Sequence, residues 1–236
     1  MKPISNRLEA LCSMVTPGLR LADVGCDHGF LSIALVGRGI APSAIAMDLR
    51  EGPLGHAKEN IAREGLSDVI ETRLSDGLTK LTPGEAETIV IAGMGGRLLM
   101  HILEEGREVA QAAKELILQP QSEIPLVRHY LVEQGYRLID EEMLQEDGKY
   151  YMMMKVSYEA NGVGEVLAET EEDFLFGKLL LAKHHPVLAE YIRWEIGLKE
   201  AIRDKLDATD ATHSDRYREV MEALEQLQSV LHQIEG

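Results

Sequence analysis

The 236-residue chain reads as an α/β protein: a largely parallel sheet closed by a β-hairpin, followed by an antiparallel α-helical hairpin with a coiled-coil-like seam. Three observations predict this. Residues 19–31, LRLADVGCDHGFL, place a short apolar strand, a glycine turn and an apolar helix in immediate succession. Residues 88–92, TIVIA, form the uniformly apolar run expected of a central parallel strand. Beyond residue 171, leucines and isoleucines recur at steps of three and four.

The elements follow in order. Ile4, Leu8, Leu11 and Val15 have helical spacing, and Pro17-Gly18 ends that helix. Leu19, Leu21 and Val24 make the first strand, and residues 31–36 the next helix. Residues 44–48, AIAMD, are a second strand and residues 69–74 a third. The TIVIA strand runs into Gly93-Met94-Gly95-Gly96 and a helix through Leu98, Leu99, Ile102 and Leu103. Residues 115–119 form a fifth strand stopped by Pro120, and residues 124–134 a helix. Residues 136–144 and 150–158 then follow without an intervening helix, so the short QEDG connection makes them a hairpin with an antiparallel strand at the sheet edge. Repeated βαβ halves, as in dehydrogenases, would not close this way. A Rossmann-like methyltransferase sheet would, by fold-level analogy.

Two domains joined by a linker are expected: 1–158, the linker at 159–170 with Asn161, Gly162 and Gly164, and a helical hairpin at 171–236. In the hairpin, Leu188, Ile192, Leu198, Ile202 and Leu206 face one way. Polar residues 207–214 interrupt, and Tyr217, Val220, Leu224, Leu227, Leu231 and Ile234 continue as heptads. This stripe serves the core first and a protein partner second.

The acids at the strand ends indicate the ligand. Asp-x-Gly-x-Asp-x-Gly at Asp23, Gly25, Asp27 and Gly29 differs from the Gly-x-Gly-x-x-Gly of dinucleotide sites. Carboxylates repel a pyrophosphate. They suit a nucleoside bearing an amino group and a sulfonium, and S-adenosylmethionine is such a ligand. Asp48, 25 residues after Asp23, stands where an acid takes ribose hydroxyls, with Leu49 beside it. Asp76 and Gly77 follow the third strand, where a carboxylate can accept from an adenine amine. Arg7 is either a solvated helix residue or a bidentate donor to the ligand's carboxylate. His28 is either a ligand contact or a cap. Singly, each acid also reads as a turn or cap residue.

Other signals exclude more than they assign. No apolar run approaches the roughly 20 residues that span a bilayer, and no signal-like start is evident, so a cytoplasmic, membrane-free protein is expected. Cys12 and Cys26 alone do not make a disulfide framework, and Cys26 lacks a His–acid pair that would make it a nucleophile. His184-His185 lacks metal-site company, so no metal is expected. The net charge is −16, with −9 in residues 1–168 and −7 in 169–236, which argues against nonspecific nucleic-acid and DNA binding. A nucleic-acid partner must meet a local patch, from Arg97 and Arg107 or from Lys178, Lys183 and Arg193, each of which also reads as a solvated residue.

LADVGCDHGFL, AIAMDLREGPL, IVIAGMGG, LILQP and QEDGKYY occur in this order ahead of the helical hairpin. Together they resemble the bacterial tRNA (adenine-22-N1)-methyltransferase family over nearly the whole chain. AGMGG and EGP are the most specific parts. Cys26 and Gly29 stand where Ser and Ala are familiar in that family, and Gln121 where Asn is common after Gln-Pro. The resemblance implies S-adenosylmethionine as cofactor, tRNA as partner through the hairpin, and methylation at adenine N1. Arg7, Asp23, Gly25, Asp27, His28, Gly29, Asp48, Leu49, Asp76, Gly77 and Gly93 are then the candidate cofactor residues. Asp27 and the Gly93-Met94-Gly95-Gly96 turn are the candidate catalytic residues, acting by position and charge. Arg97, Gln119, Pro120, Lys178, Lys183 and Arg193 are the candidate substrate contacts.

A ring-nitrogen target agrees with the fourth turn. Methylation of an exocyclic amine usually uses an Asn/Asp-Pro-Pro-aromatic turn there, and this chain offers no side-chain acid at that place. Adenine N1 carries an in-plane lone pair and needs no obligatory base. Its edge must be unpaired or flipped out to react. A small-molecule methyltransferase and a noncatalytic nucleoside-sensing module that recruits a protein remain the alternatives, with a dehydrogenase a more distant third.

Overall fold

A computed structural model describes residues 3–159, 170–209 and 212–236. Two compact units divide the chain, Met1–Glu169 and Thr170–Gly236. Most of the expected linker at 159–170 lies outside the described residues. Among the described residues no helix is long and apolar enough to cross a membrane.

The first unit is a seven-stranded sheet of order β3-β2-β1-β4-β5-β7-β6. Its strands are β1 (Leu21–Val24), β2 (Ala44–Asp48), β3 (Ile70–Leu74), β4 (Thr88–Met94), β5 (Glu115–Pro120), β6 (Tyr136–Glu146) and β7 (Lys149–Tyr158). The first five are parallel, and β7 runs antiparallel to both β5 and β6. The expected hairpin therefore inserts its second strand, and β6 takes the edge. Its strands also run further than the sequence suggests, pairing Glu146 with Lys149. Only Asp147 and Gly148 turn the chain, at φ 51° and 74°, the positive angles a two-residue hairpin loop demands.

Alternation along the central strands fills both faces. Ile89, Ile91, Leu116 and Leu118 enter one buried cluster, while Val90 and Ile117 enter the other. Each such side chain contributes about 1.5–3 kcal/mol by leaving water. Helices cover the faces: α1 (Asn6–Met14), α2 (Phe30–Gly37), α3 (Glu51–Arg63), α4 (Gly96–Glu105), α5 (Arg107–Ala112) and α6 (Ile124–Glu133). Helix α1 starts later than its apolar spacing implies because Ser5 is its cap, accepting from Leu8 N at 3.3 Å. The order reverses between β1 and β4, so a crevice is expected at their carboxyl ends.

The second unit departs from a two-helix hairpin. A π-helical turn (Asp173–Gly177) and a short helix α7 (Lys178–Ala182) precede α8 (Pro186–Ala208) and α9 (Asp215–Glu235). The break falls before Pro186, with His184 at φ 49°, because proline disfavours helix in the residue preceding it and suits a helix start. The α9 seam buries Val220, Leu224, Leu227, Val230 and Ile234. Val230 replaces the expected Leu231, which is half-buried, and on α8 the expected Leu198 is 44% exposed.

Candidate active site

The carboxyl ends of β1, β2, β3 and β4 bring the candidate residues to one edge of the first unit. The β1–α2 loop is pinned first. Gly25 N and Cys26 N both donate to Met47 O at 2.8 Å, and Asp27 N donates to Asp48 Oδ2 at 3.3 Å. Gly25 has φ +75°, and a Cβ there would lie 2.3 Å from Met94 Cε. The positive φ is what calls for glycine here, since Met94 Cε is the mobile end of its side chain. Asp27 also takes a left-handed conformation, φ 51°, which Asp tolerates better than most residues. Its side chain stays largely exposed, 3.6 Å from His28 Nε2.

Asp23 and Asp48 are buried, for different reasons. Asp23 accepts from Ser32 Oγ at 2.8 Å and from the Ser32 backbone, so it caps the first turn of α2. Burial raises its carboxyl from the ordinary 3.8 to about 6, against the lowering effect of Ser32 and with a further push from Asp48. Ser32, the polar residue in an otherwise apolar helix, was the missed signal for this cap. Asp48 accepts from Arg50 N at 3.0 Å and from Asp27 N, joining two loops with one carboxylate. Leu49 beside it is 62% exposed, an apolar surface at the same edge. Asp76 is exposed; its carbonyl, not its carboxylate, holds Thr79.

Four of the candidate glycines serve packing. A Cβ on Gly29 would come within 3.1 Å of Ala57 on α3. One on Gly96 would lie 2.4 Å from Ser122 O. Gly77 abuts Ile102 and Gly95 abuts Ser122 Oγ in the same manner. Ser122, another residue missed in the sequence, accepts from Gly96 N at 3.2 Å and fixes the start of α4.

At β4, Gly93 N donates to Gln119 Oε1 at 3.1 Å, and Arg7 Nη1 donates to the same oxygen at 3.1 Å. Gln119 and Pro120 are buried. Gln119 is therefore placed as a bracket for the Gly93 turn and for Arg7, not as a freely exposed substrate contact. Arg7 also lies 5.7 Å from the Tyr151 ring centroid, so it is neither simply solvated nor free of partners.

The cations of the two candidate patches differ in their partners. Arg97 lies 3.3 Å from Glu123, Arg107 pairs with Glu104, and Arg193 pairs with Glu235. Lys178 starts α7 half-buried and Lys183 follows it exposed. These cations are divided between the two units, and three are already matched by acids. Cys26 is buried, and burial pushes its thiol well up from the ordinary value, which removes the reactive thiolate. His184 Nδ1 sits 2.8 Å from Ile234 O, a contact within the helical unit.

Comparison with known proteins agrees with this layout. Residues 4–154 match a family described as a methyltransferase domain. The chain is 31% identical over 230 residues to the tRNA (adenine(22)-N(1))-methyltransferase of Bacillus subtilis, covering 97% of both chains. The crystal structure of the B. subtilis M1A22 tRNA methyltransferase TrmK superposes with a TM-score of 0.78 at 29% identity, over 99% of this chain and 97% of that one. A Streptococcus pneumoniae structure, a candidate tRNA (m1A22) methyltransferase in complex with S-adenosyl-L-methionine, matches at TM-score 0.84 and 33% identity, over 98% and 100% of the two chains. The chain belongs to the tRNA (adenine(22)-N(1))-methyltransferase family, with its methyltransferase domain in the first unit.

Proposed function

We propose that this protein transfers the methyl group of S-adenosylmethionine to N1 of an adenine in tRNA, position 22 being the site its relatives are named for. The carrying observation is the edge itself: acids and glycine turns at the ends of β1 to β3 face a fourth turn, Gly93-Met94-Gly95-Gly96, that holds no acid.

The residues suit this cofactor. Gly25 leaves room for backbone approach. The buried Asp48 is held so that its remaining lone pairs accept ribose hydroxyls, and exposed Leu49 offers an apolar face to the adenine. Asp76 is in reach of solvent and free to accept from the adenine amine. Asp23 and Asp27 supply the negative field that a sulfonium and an ammonium need. Arg7, steadied by Gln119, supplies the complementary donor for a carboxylate. When bound, S-adenosylmethionine supplies an electrophilic methyl on a cationic sulfur.

What the chain adds is placement. The Gly93 N–H is held by Gln119, so the β4 turn is rigid where the base must lie. Met94 reaches from that turn to Gly25 and forms an apolar wall beside the transfer path. Asp27 lies at the same edge, where its carboxylate would stabilise the positive charge of an N1-methylated ring. No side chain has to accept a proton, because N1 carries none at neutral pH. The helical unit is assigned to holding the rest of the tRNA, and its exposed apolar face is where a protein would dock.

The test is incubation of unmodified tRNA transcript with the protein and S-adenosylmethionine, followed by nucleoside mass spectrometry with chromatographic separation of isomers. 1-Methyladenosine is expected. Direct formation of N6-methyladenosine would overturn the N1 reading. Methylation of small molecules with none of tRNA would select the metabolite alternative, and cofactor binding without transfer to any RNA the noncatalytic one.

A further inference from the structure

We propose that the rings of His56, His28 and Phe30 form a stacking platform for an unpaired base of the RNA substrate, next to the methyl-transfer edge. The proposal rests on the functional reading above and names a contact that the reading does not need.

The three rings come from two elements. His28 ends the β1–α2 loop, Phe30 opens α2, and His56 lies on α3. The His28 ring stacks on His56 with centroids 5.2 Å apart and planes inclined 15°, and on Phe30 at 5.5 Å and 27°. An apolar ring of this size normally goes to the core. Here one of only three phenylalanines in the chain is left 43% exposed, and His56 is exposed as well.

The platform is also rigid. Asn60 Nδ2 donates to His28 O at 3.0 Å, which ties the loop to α3. Gly29, at φ +72°, packs so closely on α3 that an added Cβ would lie 3.1 Å from Ala57 Cβ. The loop that carries His28 is therefore held against α3 before any ligand arrives, which lowers the entropy cost of stacking there.

Cations that can reach phosphates stand near the rings, on a helix that also carries Glu51 and Glu59 and with Asp27 3.6 Å from His28. In a chain of net charge −16, most cations of the first unit sit against carboxylates: Arg20, Arg38, Arg73, Arg97 and Arg107 are examples. Among the described residues, Lys58 and Arg63 on α3 form no ion pair, and Arg50 at its cap only reaches Asp48 at 4.0 Å. Of the three rings, His56 shares α3 with Lys58 and Arg63, and Arg50 caps that helix. Exposed aromatic faces beside cations that can meet phosphates are the elements of single-strand recognition. The target adenine must leave its stack to expose N1, which strands a neighbouring base that a protein ring can take.

The experiment measures tRNA affinity by fluorescence anisotropy and cofactor affinity by calorimetry for wild type, His56→Ala, Phe30→Ala and His56→Phe. Loss of one stacked base should weaken tRNA binding about tenfold in each alanine variant. Affinity for S-adenosylmethionine should stay at the wild-type value, and His56→Phe should recover most of the tRNA affinity. Unchanged tRNA affinity in folded alanine variants overturns the platform. An equal loss of cofactor affinity overturns it too, by assigning the rings to the cofactor pocket. Failure of His56→Phe to rescue would remove stacking as the cause. Tight, ring-dependent tRNA binding without methylation by wild type would overturn the functional reading and leave the platform standing.

Discussion

At the amino ends of the strands an acid is buried and saturated, whereas at the carboxyl ends the acids keep capacity to spare. Glu115, at the start of β5, accepts from Thr16 N at 2.9 Å, Thr16 Oγ1 at 2.6 Å and Thr88 Oγ1 at 2.9 Å, and pairs with Lys155 at 2.8 Å. Burial would raise its carboxyl, yet the donors win and hold it below the usual range. Lys155 also donates to Met14 O, so this knot joins the end of α1, β4, β5 and β7. At the other end, burial wins at Asp23 and raises it to about 6, and Asp76 is open to solvent. The same residue class closes one end of the sheet and leaves the other able to take a cationic ligand. A fully partnered acid speaks for stability, and an under-partnered one for binding.

The contrast breaks most visibly at Glu115. Glu115→Ala leaves the Lys155 ammonium without its carboxylate, and loss of one partner of a buried pair costs about 3–5 kcal/mol. Chemical denaturation should show a large loss of stability, while the fraction that remains folded keeps its affinity for S-adenosylmethionine. Because the folded pKa is depressed, the contribution of Glu115 is present above its ordinary pKa of 4.5 and is lost as the pH falls through the lower folded value. Glu115→Gln should flatten that acid limb.

Asp23 has the opposite sign. Its folded carboxyl titrates near 6 against 3.8, so between these values the folded protein holds more protons than the unfolded chain. Its contribution to stability therefore falls as the pH rises from about 4 to about 6. A cationic cofactor favours the ionised form. Calorimetry from pH 5 to 7 should find affinity rising with pH, by up to about tenfold per unit below 6. Asp23→Asn should remove that slope. A slope identical in the variant would show that another group carries it.

The smallest effect is expected at Arg97. Its side chain is 77% exposed and its pair with Glu123 is of the surface kind, worth about 0–1 kcal/mol. Arg97→Ala should change stability by less than about 1 kcal/mol, and tRNA affinity by only a few-fold. A much larger loss of tRNA affinity would place Arg97 in the RNA interface despite its acid partner.

Much of this was legible in the sequence, because the informative features are local. The apolar runs marked all seven strands, and the DVGCDHG and AGMGG turns marked the loops at the candidate edge. What stayed hidden depends on contacts between distant residues. Gln119 meeting Arg7 and Gly93 joins positions up to 112 apart. Gly29 and Gly96 are small because of Ala57 and Ser122, which no local pattern reveals. The His28 and His56 stack has the same origin. The ion pairs of the candidate cations were hidden for a related reason: composition counts cations, but only geometry shows that Arg97, Arg107 and Arg193 each have an acid partner.

The central claim is that the carboxyl-end acids bind the methyl donor, and Asp48 tests it most directly. Calorimetric titration of S-adenosylmethionine into wild type and Asp48→Ala reads the loss of hydrogen bonds from a charged acceptor, about 1.5–3 kcal/mol. The account predicts affinity weakened about tenfold or more in a variant that remains folded by circular dichroism. Unchanged affinity in that folded variant would contradict it.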